Sequence, residues 1–174
     1  MALILSSIGR TTFALLARRR PRTVISGIEV VQLEGEERET MSLFGKIQDA
    51  LDLISRVDPV RFSRIRKDMR RVYIMGELTV AGRKPVGSSP VGLDGCFVDL
   101  AFLRAATVRS VAVLLVHEAT HVRIDHSRVK QHPRMIDRIE RVCRAAEISF
   151  ARKLDDDEFM AWLLRWHRAR SERG

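Results

Sequence analysis

A chain of 174 residues has room for one domain with modest extensions, and 45% apolar with 30% charged residues excludes a disordered polymer. The net charge is +9, and 26 of the 31 basic residues are Arg. Arg10, Arg18, Arg19, Arg20 and Arg22 precede the first acidic residue, Glu29, so the remainder carries +4. Such a charge attracts nucleic acid and anionic membranes without specificity and excludes neither.

Residues 1–26 read as an N-terminal extension that is disordered, amphipathic or targeting. The stretch MALILSSIGRTTFALLARRRPR is apolar, lacks acid and ends in an Arg run. It lacks the basic start and cleavage site of a signal peptide, and it is too interrupted to span a membrane. Residues 1–22 suit a transit peptide or a peripheral anchor on an anionic membrane. A single folded domain is expected over residues 27–174.

Within that domain SGIEVVQLEGE is expected to be extended, with Ile28, Val30, Val31 and Leu33 as its apolar residues. Ser42 is the expected N-cap of a helix to Val57, because Leu43, Phe44, Ile47, Leu51 and Ile54 recur at helical spacing. Asp58-Pro59 pairs a cap with Pro at the first helical position, which starts a second helix to about Arg70. Val60, Ile65 and Met69 would point inward. A strand is expected from Val72, a Gly/Pro/Ser-rich loop over residues 81–92, and another strand centred on Phe97 and Val98. A helix from Thr107 to Arg128 follows, broken by the KQHP stretch at 130–133. Pro133 to Leu154 is the return helix. Asp155 to Glu158 place acid on the first turn of a last helix.

The helix from Thr107 carries HEATH at residues 117–121. Residues i and i+4 lie about 40° apart on a helix, so His117 and His121 can offer imidazoles to one ion. Zinc takes two imidazoles, a carboxylate and a water. Glu118, about 100° round from His117, can reach that water as a general base. The buried run Ser110–Val116 argues that these polar groups need partners, which a metal supplies. The competing reading is a pair of hydrogen-bonded core histidines.

An antiparallel hairpin turning near residue 131 sets residues 140–143 opposite His117 and His121. Glu140 is therefore the expected third ligand, with Glu147 on the same face as the alternative. His126 would point about 140° away from His121, and His126, His132 and His167 are expected at the surface. Cys96 and Cys143 form no CxxC pair and read as reduced core residues of a cytoplasmic protein.

HEATH followed by a distant helical Glu resembles the gluzincins, a branch of the zincin metallopeptidases. LVHEATH with RIERVCRAAEISFARKL is also similar to a family of small uncharacterised bacterial proteins. The resemblance covers roughly residues 27–155. It implies an α+β fold, a small zincin-like core with a short β-sheet packed on the HExxH helix and an antiparallel helical hairpin. It implies Zn²⁺ on His117, His121 and Glu140, with Glu118 as general base. A peptide or protein substrate would be received in extended form along the strand near Val98, and its bond cut through a metal-activated water.

The chain departs from the family pattern at Arg123, where an apolar residue is usual. It departs again at Arg144, where an acid usually orients a histidine. Asp125 and Asp99 are the substitutes the sequence offers for that acid, and Tyr73 is its one tyrosine for an oxyanion. Two other functions remain open. RFSRIRKDMRR at 61–71 would give a helix with Arg61, Arg64, Lys67, Arg71 and Asp68 on an exposed stripe, suited to a nucleic-acid-associated protein. A non-catalytic zinc-binding domain is the other.

Overall fold

β-branched and aromatic residues mark where the sheet forms. The computed structural model describes residues 19–76, 85–127 and 135–171. Five strands, β1 (Arg22–Ile25), β2 (Ile28–Gln32), β3 (Arg71–Met75), β4 (Gly87–Ser88) and β5 (Gly95–Asp99), lie in the order β1-β2-β3-β5-β4. The β2–β3 and β3–β5 pairs are parallel, and the two outer pairs are antiparallel. The folded region thus starts earlier than residue 27. Arg22–Ile25 forms a hairpin with β2 across Ser26 and Gly27, both at positive φ. The preceding Arg run disguised that short strand. Residues 1–18 lie outside the described residues, and so do 77–84 and the expected helix break at 130–133.

Six α-helices occur among the described residues: α1 (Thr40–Val57), α2 (Pro59–Asp68), α3 (Leu100–Ala105), α4 (Val108–His126), α5 (Ile136–Ala151) and α6 (Asp157–Ser171). The molecule is therefore mixed α+β. Helix α1 begins two residues before Ser42, because a capping box between Glu36 and Glu39 already winds the chain into a 3-10 turn. Its five expected apolar positions are all buried. At Asp58 the expectation holds: the carboxylate accepts from Arg61 N at 3.1 Å, and Pro59 follows. Ile65 and Met69 are buried, but Val60 is 62% exposed, since the first turn of α2 lies clear of the core. The strand centred on Phe97 and Val98 ends at Asp99, whose carboxylate caps Phe102 N at 2.8 Å and starts the short helix α3.

One sheet face carries Ile28, Val30, Val72, Ile74, Cys96 and Val98 into the main core. That core is shared with α1 and α4. The opposite face holds a small cluster of Val31, Tyr73 and Phe97, which are paired across β2, β3 and β5. Helix α4 is buried continuously from Val111 to Val116. No described helix is long and apolar enough to cross a membrane. Cys96 and Cys143 are both unbridged and buried.

Candidate metal centre

Thr107 starts α4 by accepting from Ser110 N at 3.2 Å, and the apolar run 111–116 threads the helix through the core. The burial stops being complete at His117. From there α4 presents His117 and His121 to α5, which packs against it in the opposite direction. His121 meets Glu140, whereas the earlier His117 meets the later Glu147. On α5 the stripe Ile139, Cys143, Glu147 and Phe150 is buried at helical spacing, and Glu140 lies at its border.

Three side chains converge. His117 Nε2 and His121 Nε2 are 3.0 Å apart. Glu140 places one carboxylate oxygen 3.2 Å from His121 Nε2 and the other 3.6 Å from His117 Nε2. Tetrahedral zinc with bonds of about 2.0–2.1 Å separates its ligand atoms by about 3.3 Å. The spacings of these three groups bracket that value. Acceptor atoms this close repel one another unless a proton or a cation lies among them, so the donor set suits zinc in chemistry and in spacing. The His121 hydrogen bond, more than any other influence, holds Glu140 down at about 2 despite partial burial, and Arg144 adds its charge. For His121, burial disfavours the charged ring, but the Glu140 hydrogen bond and the surrounding carboxylates outweigh it and raise the pKa.

Glu147 is not part of this triangle. Its carboxylate sits on the far nitrogen of His117, with Oε1 2.8 Å from Nδ1. Its other oxygen contacts His167 Nε2 from α6. Burial raises the Glu147 pKa, but the two imidazoles outweigh it and keep the group below the ordinary carboxylate range. A carboxylate against Nδ1 favours the proton on that nitrogen, the tautomer in which Nε2 keeps a lone pair toward His121 and Glu140.

Glu147, rather than Asp125 or Asp99, is thus the carboxylate that meets His117 from behind. Asp125 instead accepts from Gly92 N at 2.6 Å, and Asp99 caps α3. His167, expected at the surface, has a side chain only 11% exposed. Its spacing from Met160 and Leu163 was the available signal, for it places His167 on the inward stripe of α6. His126 does face away, with Nε2 2.9 Å from Asp94. His132 lies outside the described residues.

Glu118 is buried beneath the segment that carries β4. Ser89 Oγ is 2.8 Å from its Oε2 and 3.1 Å from its backbone oxygen. Burial pushes its pKa up, opposed by the nearby His117 and His121. Gly87 makes this close approach feasible, since a Cβ there would stand 2.7 Å from Glu118 Oε1 and 2.8 Å from Leu114 Cδ1. Gly87→Ala is expected to displace Glu118 and to cost about 1–3 kcal/mol of stability. Metal content should stay unchanged, and a denaturant midpoint beside a metal assay checks both.

Three further expectations need correction. The strand at Val98 is not an edge, because β4, hidden in the Gly/Pro/Ser-rich loop, pairs with its outer side. A two-residue strand is too short to show alternation. Tyr73 stacks on Phe97 at 5.2 Å on the sheet face away from α4, so it does not reach the site. The basic stripe on α2 is not wholly free. Arg61 binds Asp58, the Ala146 carbonyl and Ser149, and Arg71 lies on β3 rather than on the helix, where it pairs with Glu29 at 2.7 Å. Comparison with known proteins gave no match: no family model, no curated protein and no solved structure matches this chain.

Proposed function

We propose that the chain is a zinc-dependent metallopeptidase built on a zincin-like core, with His117, His121 and Glu140 as its metal ligands. The observation that carries this reading is the triangle of facing side chains: the two imidazole nitrogens are 3.0 Å apart, and each meets one oxygen of Glu140, at 3.2 Å for His121 and 3.6 Å for His117. Zinc held there would supply Lewis acidity and lower the pKa of a water beside it. The chain's own residues account for the remaining chemistry. Glu118, one residue after the first ligand, takes the proton of the attacking water and passes it to the leaving amine. Ser89 fixes the carboxylate by donating to it, and the burial that raises its pKa makes it readier to hold that proton. Glu147, backed by His167, keeps His117 in the tautomer that a metal requires.

An extended peptide would add to the sheet along the outer edge of β4, directly above Glu118. Among the described residues no strand pairs with that side of Gly87 and Ser88, whose other edge pairs with β5. A structural pair of core histidines would be satisfied by Glu147 and Glu140 alone. It gives no reason for a second buried carboxylate, Glu118, to sit beside them under a two-residue strand. The purified chain is expected to contain one zinc and to hydrolyse peptides. Removal of the metal by a chelator should abolish hydrolysis, and added zinc should restore it. A chain that binds no divalent metal would sink the reading.

A further inference from the structure

Cys143 is the one group at this site that the proposed hydrolysis leaves unused. It lies one turn after Glu140 on α5, is 0% exposed, and belongs to the buried stripe that faces α4. Its Sγ and one nitrogen from each of His117 and His121 all lie within 4.8 Å of one another. Two borderline nitrogen donors and a sulfur thus lie together, and Glu140 meets the same two histidines. Cys96, the other thiol, is equally buried but lies on β5 and belongs to no such group among the described residues.

We propose that Cys143 is a fourth protein ligand, so that the resting metal centre is a closed His117, His121, Glu140, Cys143 site. This inference rests on the zinc reading above. Zinc accepts imidazole, carboxylate and thiolate together, and it prefers four ligands. Two negative ligands balance the charge of a divalent ion, which matters where the groups are buried. The bookkeeping is simple. The Cys143 S–H bond breaks when the sulfur–metal bond forms, and the proton leaves to solvent. When the thiolate dissociates it recovers one proton from solvent, and no oxidant or reductant takes part. A closed site carries no water, so hydrolysis waits on departure of the thiolate. Cys143 would thereby slow the wild-type chain at each turnover without abolishing its hydrolysis.

Cobalt(II) added to the metal-free full chain is the probe, because thiolate bound to cobalt gives a near-ultraviolet charge-transfer absorption. That absorption is expected in the wild-type chain and in Cys96→Ala, and lost in Cys143→Ala and Cys143→Ser. The visible bands of tetrahedral cobalt report metal binding independently of sulfur. Tetrahedral cobalt without the charge-transfer absorption in the wild-type chain would overturn the role of Cys143 and leave the metal centre standing. Absorption lost in Cys96→Ala but kept in Cys143→Ala would also overturn it. Failure of the wild-type chain to bind cobalt would overturn the metal centre and this inference together. The wild-type spectrum decides the matter even if the Cys143 variants fold poorly.

Discussion

Glu118→Gln is expected to retain one metal per chain while peptide hydrolysis falls by about 10²–10⁴-fold. The amide keeps the size and the Ser89 hydrogen bond of the carboxylate but cannot take a proton from water. Glu118 is absent from the triangle formed by His117, His121 and Glu140, so its neutralisation leaves the donor set whole. Metal analysis and a peptide-cleavage assay on the same preparation separate the two effects. Hydrolysis at the wild-type rate in this variant would remove Glu118 from the mechanism. Loss of the metal would make it a ligand instead.

The second large effect distinguishes the two glutamates of α5. Glu140→Ala removes a direct donor and is expected to weaken zinc binding more than any change at Glu147 does. Glu147→Ala leaves all three donors but frees His117 Nδ1 from its carboxylate. A loss of metal affinity of about 10–100-fold is expected there, as for other partners of metal-bound histidines. The variant also strands His167 in a buried position, so some loss of stability should accompany it. Competition titration against a chelator, with circular dichroism to check the fold, ranks the two. The reverse order of affinities would exchange the roles of Glu140 and Glu147.

These two residues show what spacing along one helix can and cannot decide. They are seven apart on α5 and lie about 20° from each other around its axis, so periodicity cannot choose between them. The choice depends on how far α5 slides along α4. The structure sets Glu140 between the facing nitrogens of His117 and His121, and Glu147 behind His117 on its other nitrogen. The hairpin estimate, centred near residue 131, had already favoured Glu140.

Much of the fold was legible for a similar reason. The apolar periodicity of Leu43, Phe44, Ile47, Leu51 and Ile54, the Asp58-Pro59 start of α2, and the unbroken run before His117 are local signals. Each is set by neighbours within a turn or two. The errors fell where a local signal was too short or was outweighed. The four residues of β1 adjoin an Arg run, and the two residues of β4 sit in a loop-like composition.

By itself the sequence determined the relative placement of His117, Glu118 and His121, which need only a helix to take it up, and the run 110–116 ensures that the helix is buried. It also determined that Cys143 and Glu147 share a face with Glu140. Only the tertiary structure decided which nitrogen each carboxylate meets and that His167 reaches Glu147 from α6. It alone decided that Tyr73 faces away and that Gly87 and Ser89 close over Glu118. Those contacts join segments 29 to 31 residues apart for Ser89 and Gly87, and 20 for His167, across separate elements. Their geometry is set by helix packing and sheet order, which no local periodicity encodes.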